Sequence, residues 1–275
     1  YEALSSEIQF WEVAPTYRTL LAGRGISFIN DSIVKIDIKE KSVLTASDQL
    51  IHYSYLVICT GSKPLTYGIA GVQEHACNFN QLEDIARVRE LLGRFKNASS
   101  THQALVIVGA GASGVELACK IADLLDSQTQ IHLIEAGNRV LPNGKSFNQE
   151  QALLALQRRG IKIHLETKVL RVTESSVELK NTYETSLLNY DGLVWMAGTQ
   201  PSFPKGLPDQ SIFRGGISIN CNLEVVGIKD VFAIGDVAID MNLPTNPTAQ
   251  VAIQQANALA NNLSAIREGK PLQSF

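Results

Sequence analysis

The chain has little of what several classes of function require. It has four cysteines, Cys59, Cys77, Cys119 and Cys221, and no C-x-x-C pairing. That spacing writes in neither a disulfide framework nor a thiolate metal cage, and it reads as a reducing compartment with buried or incidental thiols. Basic residues are not in excess: 24 Lys and Arg against 27 Asp and Glu leave a formal charge of −3. This argues against a nucleic-acid partner, because nothing is left over to neutralise phosphates; the pair Arg158-Arg159 reads as solvated helix surface. No run of about 18 apolar residues occurs, so nothing reads as a bilayer span, and no signal peptide is visible. The five histidines show no metal spacing and no Ser or Asp partners in series; His132 and His164 lie in apolar runs and read as structural. No repeat and no low-complexity tract appears. An initiator Met is missing before Tyr1, and Gln273-Ser274-Phe275 stops just after an apparent turn, so both ends are expected to be cuts through a longer protein.

What is present is enough apolar residue, 45% of the chain, to build a core, and a length that suits one large or two moderate domains. Ala14–Gly23 reads as a short helix. Ile26–Ile29, Ile33–Ile38 and Ser42–Thr45 alternate like strands, with Glu40-Lys41 as a hairpin turn, and Tyr53–Cys59 reads as a buried strand. Leu82–Phe95 has helical spacing. From there strand and helix alternate: strand Leu105–Val108, helix Ser113–Leu125, strand Ile131–Glu135, helix Asn148–Arg159, strand Ile161–His164. An antiparallel excursion follows over Lys168–Thr173 and Ser176–Leu179, then strands Tyr190–Trp195 and Val231–Ile234. A long helix over Thr248–Ile266 is closed by Gly269. Such alternation predicts an α/β fold with a parallel sheet over residues 101–200.

One segment speaks to a ligand. Ala104–Ala118 is an apolar β-branched run, then G-x-G-x-x-G at Gly109, Gly111 and Gly114, then a helix. The first glycine permits the tight turn, the second lets the backbone approach a pyrophosphate, and the third lets the helix pack on the strand. The phosphates then meet free N–H groups at a helix N-terminus. The next apolar strand ends in Glu135, 26 residues after Gly109 and near the ~20 expected of the acid that takes the ribose hydroxyls. A carboxylate there accepts from a 2′-OH and repels a 2′-phosphate, which favours NADH over NADPH, although Arg139 lies close by. The alternative is a glycine turn that only joins a strand to a helix.

Two further strands stop at glycine: Leu56–Ile58 runs into Cys59-Thr60-Gly61, and Val231–Ile234 into Gly235-Asp236. Together with the central glycine motif, this order resembles the two-dinucleotide-binding flavoprotein reductases. Pro247-Thr248-Ala249-Gln250-Val251-Ala252-Ile253-Gln254-Gln255 resembles, more narrowly, the type II NAD(P)H:quinone oxidoreductases, as do Gly114–Ala118 and Val194-Trp195-x-Ala197-Gly198. Trp11–Pro15 is similar to the cyanobacterial and plastid branch.

The resemblance implies a Rossmann-like NAD-binding domain (residues 101–201) inserted in a partial FAD-binding domain (1–100 and 202–275). It implies hydride transfer from NADH to FAD and then two-electron reduction of a quinone of the ubiquinone, plastoquinone or naphthoquinone type, without proton pumping. Asp236, beside Gly235, would accept from a ribitol hydroxyl, with Thr60, Gly61, Ala197 and Gly198 around the cofactors. Thr248 or Thr245 would cap the helix beginning at Ala249, whose N–H groups would face the flavin's pyrimidine edge and favour its anionic reduced form. Gln250 and Gln254, four apart on one helix face, would reach the quinone, and Glu116 would sit beside the nicotinamide. Apart from the resemblance, the two glutamines read as a polar surface stripe and Glu116 as an acid near a helix N-terminus. The family also carries an N-terminal glycine loop for FAD pyrophosphate and a C-terminal membrane-docking region, which this sequence lacks. The expectation is therefore weak FAD binding by the chain alone, a soluble chain, and a peripheral membrane position, cytoplasmic, stromal or matrix-facing, with a possible homodimer for the longer protein. Competing expectations are a disulfide or ferredoxin-type reductase and a non-catalytic NAD(H)-binding module.

Overall fold

A computed structural model of the chain describes residues 1–97, 103–125, 128–242 and 246–275. In chain order the elements begin with α1 (Phe10–Val13), α2 (Tyr17–Leu21), β1 (Ile33–Asp37), β2 (Ser42–Thr45), β3 (Leu50–His52), β4 (Leu56–Ile58) and β5 (Ser62–Pro64). Next come α3 (Val72–His75), α4 (Leu82–Asn97), β6 (Gln103–Val108), α5 (Ala112–Leu124), β7 (Thr129–Ile134), α6 (Ser146–Arg158), β8 (Lys162–His164), β9 (Lys168–Val172), β10 (Ser176–Lys180) and β11 (Thr185–Asn189). The chain closes with β12 (Gly192–Trp195), β13 (Thr199–Pro201), β14 (Ile212–Phe213), β15 (Gly216–Ile219), β16 (Val231–Ala233), β17 (Ala238–Asp240) and α7 (Ala249–Glu268). Two compact units result. Unit 1 comprises Tyr1–Ile26 and Pro64–Gly198; unit 2 comprises Ser27–Lys63 and Thr199–Phe275.

Unit 1 is organised by a parallel sheet in the order β12-β6-β7-β8. β6 is apolar at nearly every position because both of its faces are covered, as parallel strands require. Leu105 and Ile107 pack with Val88 and Leu91 of α4 and Leu117 and Ile121 of α5. Val106 and Val108 face the other way, into Val169 and Val172 of β9 and Val177 and Leu179 of β10. Strands β9 and β10 form the expected antiparallel excursion, and β11, which was not expected, pairs antiparallel with β10 as a third strand. Each fully buried branched or aromatic side chain contributes about 1.5–3 kcal/mol, so the βαβ run is held from both faces.

Unit 2 is built from smaller pieces. β1, β2 and β3 form an antiparallel sheet, with Lys41 at φ +46 in the turn expected at Glu40-Lys41. β4 lies parallel to β16, and β15 pairs antiparallel with β14 and parallel with β17. Ile58, Ile217, Phe232, Ala233 and Leu259 form the core. Helix α7 starts at the cap Thr248 and ends at Gly269, which takes the left-handed φ of +65 that closes such a helix.

Several expectations are corrected. The helix read over Ala14–Gly23 contracts to α2, Tyr17–Leu21, because Ala14 leaves helical geometry as the cap that ends α1 and Pro15 cannot continue that helix. Ile26–Ile29 forms no strand, and Ile26, Phe28 and Ile29 are exposed. The strand over Tyr53–Cys59 contracts to β4, of which only Ile58 is buried. Residues 1–26 and 64–97 belong to unit 1, because the apolar stripe of α4 (Val88, Leu91, Leu92, Phe95) packs on the β6 sheet.

Candidate functional site

The glycine turn of unit 1 has the geometry its spacing predicts. Gly109 adopts φ +105, and a Cβ there would lie 2.5 Å from the Met196 carbonyl oxygen. At Gly114 a Cβ would fall 1.9 Å from the Gly109 oxygen. Gly111 differs: its backbone (φ −67) suits any residue, and a Cβ would have no neighbour within 4 Å. What Gly111 keeps clear is therefore space for something that is not protein. Gly111 is also the N-cap of α5 and offers its N–H groups no side-chain acceptor, leaving donors at a positive helix end for an anion.

A cleft of about 700 Å³ opens at this turn, lined among others by Gly109, Gly111, Glu135, Lys168, Trp195 and Gly198. Glu135, at the end of β7, is held from two sides. Its Oε2 accepts from the Ala110 N–H at 2.8 Å and its Oε1 from the Gly137 N–H at 2.7 Å. The carboxylate is thus fixed against the glycine turn and oriented at the cleft. Arg139 donates to Asn138 Oδ1 and does not line the cleft. The cation that does is Lys168, which follows Thr167, whose N–H donates to the Glu135 carbonyl at 2.9 Å. Sequence reading missed Lys168 because only the fold returns β9 to the end of β7. Ala197 and Gly198 (φ +100) close the cleft beyond β12. Glu116 is exposed on α5 outside the lining; its neighbourhood is the Tyr1 phenol, which donates to the Ser113 carbonyl and is pushed up by burial, with the charge of Glu116 adding to the shift.

In unit 2 the second glycine-ended strand leads into a 3-10 turn, Gly235–Val237. Asp236 Oδ2 accepts from Ser62 Oγ at 2.9 Å, and Gly235, at φ +72, donates its N–H to Gln255 Oε1 at 2.7 Å. Gln255 is only 3% exposed. Thr60 Oγ1 donates to the Ser202 carbonyl at 2.5 Å, and Gly61 follows at φ +68. Thr248 caps α7 by accepting from the Val251 N–H at 3.2 Å, so the helix begins at Ala249. Thr245, the other candidate cap, lies outside the described residues. A cleft of about 250 Å³ joins Ser62, Arg214, Gly235, Asp236, Thr248 and Gln255. Gln250 and Gln254 are exposed on α7 beside Ile253, which is 63% exposed. Ser62, Arg214 and Gln255 were not singled out from the sequence; Gln255 stood in the quoted motif, but nothing local marked it as the buried member of its Gln-Gln pair.

The donor sets suit two different groups. Unit 1 offers the uncapped N–H groups, the cleared space and the oriented carboxylate that a dinucleotide needs. Unit 2 offers a carboxylate beside a left-handed glycine and a helix N-terminus, which fit a polyol chain and the electron-rich, carbonyl-bearing edge of a ring. Among the described residues no group of three His, Cys, Asp or Glu could hold a metal. All four cysteines are free thiols; burial pushes Cys77 and Cys119 up, away from the reactive thiolate.

Comparison with known proteins agrees with this chemistry. The profile of the pyridine nucleotide-disulphide oxidoreductase family matches residues 3–256. The chain is 32% identical to the demethylphylloquinone reductase NdbB of Synechocystis sp., over 99% of this chain and 69% of that protein. It is 30% identical to the alternative NAD(P)H-ubiquinone oxidoreductase C1, chloroplastic/mitochondrial, of Arabidopsis thaliana, over 100% of this chain and 60% of that protein. The structure of NDH2 from Plasmodium falciparum in complex with NADH has the same fold, with a TM-score of 0.76 over 86% of this chain and 68% of that one, at 18% identity.

Proposed function

The chain belongs to the pyridine nucleotide-disulphide oxidoreductase family, and from that premise we propose that it serves a type II NADH:quinone oxidoreductase, passing a hydride from NADH to FAD and two electrons on to a membrane quinone without proton pumping. The observation that carries this reading is the Gly111 cradle, a space cleared of protein beside uncapped helix N–H groups and an oriented carboxylate. The names of the relatives support the quinone as acceptor.

FAD, when bound, supplies the two-electron acceptor for the hydride and the donor to the quinone. The protein's residues bind and orient. The Gly109–Gly114 turn and the first N–H groups of α5 hold the pyrophosphate of NADH. Glu135 accepts from the adenosine ribose, and Ala197 and Gly198 border the other end of the cleft. In unit 2, Asp236 accepts from the ribitol chain while Ser62 and Gln255 fix its turn, and Thr60 and Gly61 border the same end of β4. Thr248 sets the direction of α7, whose N-terminal dipole favours negative charge at the ring edge it faces. Gln250 and Gln254 donate to the quinone carbonyls, with Ile253 offering an apolar contact. A quinone substrate places this chemistry at a membrane surface, on the cytoplasmic, stromal or matrix face. Among the described residues no helix is long and apolar enough to cross a membrane, and the proposed association is peripheral, in a homodimer.

The test is the visible spectrum of the purified chain, followed by NADH without air. A flavin band that bleaches with NADH and returns with a quinone supports the reading. NADH binding with no flavin band in FAD-supplemented protein would leave this chain only the NAD(H)-binding half of the chemistry, and a chain that binds no NADH would overturn the reading.

A further inference from the structure

Tyr67 is unexplained by packing. It occupies the turn Thr66–Ile69, closed by the Ile69 N–H to Thr66 carbonyl bond at 3.0 Å, with Tyr67 at φ +54 and Gly68 at φ +69. Two successive left-handed residues make a type I′ turn, whose positions favour Gly, Asn and Asp. A bulky aromatic at the first of them is strained, and its side chain recovers nothing by burial, being 63% exposed. The turn is nevertheless pinned at both legs. Leu65 donates its N–H to the Gly198 carbonyl at 3.0 Å and accepts from Trp195 Nε1 at 2.9 Å. Ala70 accepts from the Val172 N–H at 2.9 Å. The phenol lines the unit 1 cleft, and its hydroxyl stands 3.2 Å from where a Cβ at Gly198 would be.

The strand order says which end of the cleft this is. Glu135 follows β7, the glycine turn follows β6, and Gly198 follows β12, in a sheet ordered β12-β6-β7-β8. A dinucleotide with its pyrophosphate on the turn and its adenosine ribose on Glu135 lays its other nucleoside toward β12, where Tyr67 stands. We infer that Tyr67 is a binding residue for the nicotinamide of NADH, its ring packing against the planar base, and that the strained turn is retained to hold it there. This rests on the assignment of the unit 1 cleft to NADH.

The test compares NADH with ADP-ribose, which keeps the adenosine and pyrophosphate and lacks the nicotinamide. Both are titrated calorimetrically, without air, into the wild-type chain, Tyr67→Gly and Tyr67→Phe. Tyr67→Gly removes the ring and relieves the left-handed strain, so its Tm is expected unchanged or raised. Its affinity for NADH is expected to fall by about fivefold or more, with ADP-ribose unchanged, and Tyr67→Phe is expected to restore NADH binding. Unchanged NADH affinity in Tyr67→Gly, or equal losses for both ligands, overturns the inference. Wild-type protein that binds neither ligand would instead remove the NADH assignment, and the inference with it.

Discussion

The two units shape their proposed cofactor sites, both at the ends of strands, by different routes. Unit 1 does it within one continuous stretch, where Gly109, Gly111, Gly114 and Glu135 all belong to the run β6–α5–β7. Unit 2 assembles its turn from distant pieces: Ser62 reaches Asp236 across 174 residues, and Gln255 reaches Gly235 from the first turns of α7. In unit 1 the backbone makes the site and side chains trim it. In unit 2 side chains fasten the backbone into place. Substitutions should therefore fail differently in the two halves.

The sharpest contrast is expected at Gly111. Its Cβ position touches no protein atom, so Gly111→Val should leave the melting temperature nearly unchanged while NADH affinity falls at least about 100-fold, close to 3 kcal/mol; retained affinity would empty the cradle of its role. The opposite pattern is expected at Gln255. Gln255→Leu strands the Gly235 N–H and should destabilise unit 2 by about 1–3 kcal/mol, seen as a lower denaturation midpoint and weaker FAD retention, with NADH titration unaffected.

Acid separates the units in a third way. His132 Nδ1 and His164 Nε2 lie 3.0 Å apart on β7 and β8, and burial holds both rings below the usual histidine range, His132 at about 4. The charge of Lys162 acts in the same direction on both, as His164 does on His132. Their folded values are depressed, so the unfolded chain takes up protons first. The stability they preserve is complete above about pH 6.5 and declines as pH falls toward 4, by at most about 1.4 kcal/mol per pH unit per proton. Unit 1 is expected to lose protection in hydrogen exchange over that window before unit 2, and His132→Asn to flatten the decline. The smallest effect is expected at Glu135. Glu135→Ser should bring NADPH affinity to within about tenfold of NADH, about 1.4 kcal/mol, read from paired titrations; an unchanged ratio would assign discrimination to another residue lining the cleft, such as Lys168.

The same contrast explains what was legible in the sequence. The parallel sheet, its glycine turn and the acid at the end of β7 could be read because each depends on neighbours in the chain, and the cap at Thr248 could be read for the same reason. Lys168 and Tyr67 could not, since each enters the cleft only once the fold returns a remote segment to it. Gln255 looked like its neighbour Gln254; burial alone separates them, and burial is a property of the packed helix. The false strand at Ile26–Ile29 arose where apolar residues are exposed, so their pattern carried no information about a core. Pro15 was visible as a residue, and its missing N–H accounts for a helix that begins only at Tyr17.

The bond from the Leu65 N–H to the Gly198 carbonyl also bears on how the chain folds. It ties together the two points at which the stretch from Pro64 to Gly198 begins and ends. Once that stretch has folded, unit 2 meets it as a short closed link rather than as a long open loop, and the entropy of closing a long loop no longer falls on the pairing of β4 with β16. The order of events follows: unit 1 is expected to fold first, and its completion is what brings the halves of unit 2 within reach of each other.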